Sequence, residues 1–97
     1  MFSARLINHN DTYMLNICDA DLIGTTLNRG NFTLKISEKC YAQKVVEKEE
    51  AKDLLKRSDN VNMAGKEIIS LSVDMGIGTQ NGVKEIDGVP FLVVFKM

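Results

Sequence analysis

Asn62-Met63-Ala64-Gly65, running on through Lys66 to Gly76, is the stretch on which the fold turns. Its spacing predicts a helix from about Met63 to Met75. Ala64, Ile68, Leu71 and Met75 recur at helical intervals, and Ile69 and Val73 widen the apolar stripe. Asn62 is placed to act as the N-cap, its side-chain oxygen accepting from a free amide of the first turn. Gly76 suits the left-handed position that follows a helix, with Ile77 folding back onto the helix end. Gly65 falls at the third helical position, where glycine costs about 0.5–1 kcal/mol relative to alanine. That choice has two readings. An anion or a carbonyl comes close to bare first-turn amides, or the missing side chain lets a sheet or a second helix pack tightly.

Upstream, Glu47 to Arg57 predicts another helix. Glu47, Glu49 and Glu50 stand in its first turn and Lys56 and Arg57 in its last, matching the helix dipole. Its apolar stripe of Ala51, Leu54 and Leu55 is narrow, as expected of a surface helix. The chain opens with Phe2 to Asn8 and Tyr13 to Cys18, two alternating segments around the polar turn His9-Asn10-Asp11. This reads as an antiparallel hairpin. Leu22, Ile23 and Leu27 around Gly24 read as a packed loop, and Asn28-Arg29-Gly30-Asn31 as a turn. Phe32, Leu34 and Ile36 alternate with polar residues and predict a third strand with one buried face. Val45-Val46 offers a short fourth strand.

Downstream, Asp87-Gly88 is a preferred pair for a tight hairpin turn between Val83–Ile86 and Val89–Phe95. Leu92 to Phe95 is apolar at every position, which predicts a central strand covered on both faces. Pro90 belongs near that strand's start. Strands flanking a helical pair argue α+β, with a mostly antiparallel sheet of four to six strands and two helices packed on one face. Ninety-seven residues make one domain, 1–97.

The totals exclude several functions. With 12 basic and 13 acidic side chains the formal charge is −1, so no gross positive excess points to nucleic acid. Two cysteines, Cys18 and Cys40, and one histidine, His9, fall short of a structural zinc set, and no metal or cofactor is expected. The N-terminal residues lack a signal-like pattern, and no apolar run approaches membrane length. The expectation is a cytoplasmic protein with reduced thiols and no membrane partner.

Four features compete as sites. Asn62 and Gly65 form the first. Cys18-Asp19-Ala20-Asp21 is the second: acidic neighbours raise a thiol pKa, which opposes a reactive thiolate, and the aspartates serve equally as turn formers. The third is basic. Lys48, Lys52 and Lys56 form one helical stripe, and residues 29 to 57 carry eight basic and five acidic groups. Arg29, Arg57 and Tyr41 as a stacker would complete an RNA surface, against the alternative of a solvated face of i, i+3 ion pairs. Gly76-Ile77-Gly78, the fourth, follows a helix and so lacks the strand-before, helix-after context of a dinucleotide site. No catalytic constellation emerges.

Several of these positions occur in a familiar order: Cys18-Asp19-x-x-Leu22-x-Gly24, Leu34-Lys35-Ile36-Ser37, Tyr41, Glu47-x-Glu49-Glu50-Ala51, Asn62-x-x-Gly65, Gly76 and Gly88-Val89-Pro90. From about Tyr13 to Pro90 the chain resembles the archaeal family catalogued as domain of unknown function 424. The resemblance implies a small archaeal cytosolic protein and carries over no activity, substrate or catalytic residue. Relatives often have His after the Val-Pro pair, where Phe91 stands here. They tend to carry Gly after Tyr41, where Ala42-Gln43-Lys44 stands.

These observations lead to a non-enzymatic binding module for a protein or ribonucleoprotein partner. The alternative is a small-ligand or anion site, with weak enzyme activity at most, gathering Asn62, Gly65, Cys18 and Asp19 in one cleft. A homodimer through an exposed sheet edge, at the opening hairpin or residues 83 to 86, is a further expectation.

Overall fold

Residues 60–64 do not begin a helix. The computed structural model describes residues 1–96, and in it Asn60–Ala64 is a strand. Val61 and Met63 point into one core while Asn60, Asn62 and Ala64 face the other side of the sheet, the two-residue period of a strand. Gly65 (φ 117°) breaks the pattern, and the helix starts only at Lys66.

Among the described residues, eight strands and three α-helices follow in chain order: β1 Phe2–His9, β2 Thr12–Asp19, β3 Thr26–Arg29, β4 Phe32–Lys35, α1 Glu38–Tyr41, β5 Lys44–Val46, α2 Lys48–Arg57, β6 Asn60–Ala64, α3 Lys66–Asp74, β7 Lys84–Ile86 and β8 Val89–Phe95. Six strands form one sheet in the order β5-β1-β2-β6-β8-β7, and β3-β4 stands apart as a hairpin. All neighbours are antiparallel except β2 and β6, which run parallel. The crossover between those two contains the hairpin, α1, β5 and α2. The fold is thus α+β, with a mixed, mostly antiparallel sheet. The radius of gyration, 12.6 Å, matches a single compact body of this length.

The main core lies between one sheet face and α2 and α3. Ala4, Leu15, Ile17, Val61, Met63 and Leu92 from the strands meet Ala51, Leu54, Leu55, Ile68, Ile69 and Leu71 from the helices. The narrow stripe predicted for α2 is the one buried. A smaller core, on the opposite face, joins Cys18, Leu27, Ile36 and Ala64, with Tyr41, Val89 and Phe91 packed against it. The 3₁₀ turn Ala20–Leu22 and the β3-β4 hairpin close this second core.

Both tight hairpins behave as their sequences require. Asn10 and Asp11 carry φ of 52° and 63°, and Asp87 and Gly88 carry 50° and 82°. Positive φ at both central residues is what a two-residue hairpin demands. At the end of α3, Gly76 (φ 76°) donates to Val73 O and Ile77 donates to Ser72 O. This is a Schellman motif, with Ile77 packed back on the core.

Three expectations are corrected. The stretch Leu22 to Leu27, read as a loop, contains the 3₁₀ turn and the start of β3. Phe32 and Leu34 are not on a buried face: they are 78% and 43% exposed, because β4 pairs only with β3 and never joins the main sheet. β8 is covered on both faces only near its start, where Val89 and Phe91 meet the smaller core. Leu92 is buried but Val93 and Phe95 are 52% and 71% exposed, since both long helices lie on the Leu92 side.

Candidate functional site

The start of α3 is where the sequence placed bare amides, and the structure fills it. Asp19, the last residue of β2, sends its carboxylate across to the helix. Its Oδ2 accepts from Glu67 N at 3.0 Å and its Oδ1 from Ile68 N at 2.9 Å. A residue from a neighbouring strand therefore caps α3, with negative charge at the positive end of the helix dipole. The next amide, Ile69 N, already bonds Gly65 O.

This arrangement explains Gly65. A Cβ there would lie 2.4 Å from both Cγ and Oδ2 of Asp19. Its φ of 117° is in addition a backbone state that side chains disfavour. Gly65 N donates to Pro90 O at 2.9 Å, so β8 is bonded past the point where β6 ends. Of the two readings offered for Gly65, close packing is the one seen, against the Asp19 carboxylate instead of a sheet or second helix. The expected accessible helix start is corrected: the Asp19 carboxylate occupies the place of an anion.

Asn62 is corrected too. It lies within β6 and donates from Nδ2 to Asn16 Oδ1 at 2.8 Å, its direct neighbour in the parallel β2-β6 register. It caps nothing. Cys18 is a fully buried free thiol in the smaller core. Burial first, then the charges of Asp19 and Asp21, push its pKa up to about 12. It is a packing residue with no accessible thiolate. Asp19 is also buried, and burial raises its pKa despite the opposing pull of the two amides.

Of the four residues expected in one cleft, then, only Asp19 and Gly65 meet. They line a shallow depression of about 270 Å³ with Asp21, Lys66, Glu67 and Pro90. A larger hollow of about 470 Å³ lies between α2 and α3, bordered by Phe2, Lys48, Lys66, Ser70 and Asp74. Among the described residues, no group of three or more His, Cys, Asp or Glu is placed to hold a metal ion.

The basic set is dispersed. Lys48, Lys52, Lys56 and Arg57 are on α2, where Lys52 pairs with Glu49 at 3.6 Å in the expected i, i+3 fashion. Arg29 ends β3, on the separate hairpin that touches the β7-β8 turn through the bond from Asn28 N to Asp87 Oδ2. Tyr41 packs against the smaller core, on the sheet face opposite α2. No single surface holds Arg29, Tyr41 and the α2 lysines.

What sequence reasoning missed is the uncovered part of the second sheet face. Across the strands, Arg5, Asn16, Asn62 and Val93 form one row, and Ile7, Met14, Asn60 and Phe95 the next. The row on the other side, Ser3, Cys18, Ala64 and Phe91, is closed by the smaller core. In the two open rows Met14, Val93 and Phe95 are exposed. The only charged member is Arg5, whose guanidinium donates to Lys39 O in α1. The signal available in the sequence was the apolar residues Val93 and Phe95 alternating with Leu92 and Val94; it could not say which set lacks a cover.

A mixed six-stranded sheet with two helices on one face and a hairpin over part of the other defines a small single-domain α+β protein. The chain belongs to the family described as "Protein of unknown function (DUF424)", whose profile matches residues 7–97. Its structure is similar to the crystal structure of an uncharacterized conserved protein from Methanopyrus kandleri. That relative is 27% identical, with a TM-score of 0.82 over 99% of this chain and 93% of the other. No curated protein matches the chain. Among the described residues, no helix is long and apolar enough to cross a membrane.

Proposed function

We propose that this protein is a non-enzymatic binding module that engages a protein partner through the open rows of its sheet. The observation that carries the reading is the exposure of Val93 and Phe95, 52% and 71%, on the sheet face away from α2 and α3, with Met14 also exposed in the Phe95 row beyond Asn60. Contiguous exposed apolar side chains on a folded protein mark interaction surfaces. Central strands give that patch a rigid base, so a partner orders little of this chain when it docks. The inaccessible thiol of Cys18 argues against chemistry at the other conspicuous motif. A cytoplasmic setting belongs to the same reading, supported by a free thiol in the core. The α2 lysines lie over the opposite sheet face, which favours a protein over an RNA partner.

A photo-crosslinking residue at position 93 tests this in lysate of the source organism, with the same residue at position 49 on α2 as control. The expected result is an adduct of defined mass at 93 that is absent at 49. Mass spectrometry would identify it, and binding of the purified adduct protein would be lost with Phe95→Lys. An adduct that disappears on RNase treatment would replace the protein partner with a ribonucleoprotein. Equal labelling at both positions, or none, would remove the reading.

A further inference from the structure

We infer that the occupant of the open sheet face is a second copy of this chain, related by a two-fold axis; this rests on the docking reading above and specifies its partner. A symmetric dimer sets each patch against itself, so the patch must be its own complement. Charge is the usual obstacle, because like charges meet across the axis. Here the two rows hold one charged side chain, Arg5, and its guanidinium is turned to Lys39 O. The remaining polar members, Asn16, Asn60 and Asn62, are amides, each both donor and acceptor, and so match a copy of themselves. Asn62 and Asn16 already satisfy one another in part, which lowers the cost of covering them. The apolar members Met14, Val93 and Phe95 supply surface to bury.

The accessible surface, 6167 Å² for a chain of 10.8 kDa, exceeds by roughly 600 Å² the surface typical of a monomer of that mass. The excess belongs to the whole molecule, and exposed Phe32 and Leu34 on the β3-β4 hairpin share it with the open rows. The two sheet edges are poorer candidates. β7 has three residues and lies beside the β3-β4 hairpin. β5 has three and leaves only the far half of β1 unpaired, where Leu6 N donates to Gln43 Oε1. Short edges give few ladder bonds.

Sedimentation equilibrium over a concentration series decides the matter, on wild type, Val93→Glu and Phe95→Lys, with far-UV circular dichroism on each. The expected result is a wild-type dimer, with dissociation constants raised at least about 30-fold in both variants and unchanged spectra. Should one variant lose structure, the other decides. A wild type that stays monomeric at the highest attainable concentration overturns the second copy, as does a dimer that both variants leave intact. The crosslinker at position 93 then separates the two ideas. A heterologous adduct keeps the docking reading without self-association, and no adduct removes both.

Discussion

Asp19 and Gly65 are a matched pair: one carboxylate reaches across to cap a helix 48 positions on, and one missing side chain makes room for it. Gly65→Ala is therefore expected to lower stability by about 3 kcal/mol, from backbone strain and displacement of Asp19 together. Chemical denaturation measures it. Asp19→Ala should cost about 1–2 kcal/mol through loss of the cap. The Gly65→Ala, Asp19→Ala double variant should then fall short of the sum, because the clash needs both groups. Asp19 also carries a pH signature. Its folded pKa is raised by burial, so the folded state holds more protons than the unfolded state between the ordinary carboxylate value and the raised one. Its contribution is full below the ordinary value and declines as pH rises through the raised value. Wild type minus Asp19→Asn stability should shrink from acid toward neutral pH. A difference growing in that direction would contradict the assigned shift. For Cys18, peptide mapping after alkylation should find the residue unmodified in the native protein and labelled once denaturant is added.

Elements here are closed by residues remote in sequence. The C-terminus of α2 ends on Leu55 O and Lys56 O, both of which accept from Lys96 Nζ, a cation at the negative end of the helix dipole. The same stretch is tied by Lys96 N donating to Asp59 O, and Asp59 in turn exchanges bonds with Tyr13. Lys96→Ala should lower stability by about 0.5–1 kcal/mol, seen in denaturant melts, with the largest rise in amide exchange at residues 55–60. Two stretches were misread, one in its period and one in its burial. Residues 60–64 fit a helical stripe as well as a strand, because Met63 and Ala64 are apolar in either period. What decided it was the slot between β2 and β8, which makes a ladder on both sides. Phe32 to Ile36 has correct strand alternation, yet only Ile36 is buried. Alternation reports a difference between faces; it does not report that a sheet covers one of them.

For the molecule as a whole, one sheet face is sealed by helices and the other only in part. The uncovered rows should tolerate polar substitution in the monomer. Val93→Glu is expected to change monomer stability by no more than about 0.5 kcal/mol, the range of surface positions. A Leu92→Ala variant, one residue along and buried, should lose about 2–5 kcal/mol. Comparing the two by thermal unfolding at low protein concentration checks which side of β8 carries the core. Lys48→Glu, Lys52→Glu and Lys56→Glu in one chain should leave the adduct at position 93 unchanged, since α2 is on the far side of the sheet. Loss of that adduct would return the basic stripe to the functional surface.

Local sequence alone sufficed for the class of fold, the extent of α2, the two-residue turn at Asp87-Gly88 and the Gly76 helix end, while at the first hairpin it marked a turn but counted His9, which ends β1, as part of it. These depend on local periodicity, charge placement and left-handed residues, all of which act within a few positions along the chain. Cys18 too was legible as a poor nucleophile, from its acidic neighbours. It took the packed chain to show that Asp19 caps α3, that Asn62 pairs with Asn16 and that Val93 and Phe95 are left in solvent. Each of those depends on which strand lies beside which, and the parallel β2-β6 pairing joins residues more than forty positions apart. Pairing of that kind is chosen by the summed burial of both faces of the sheet, a quantity no local window of sequence contains.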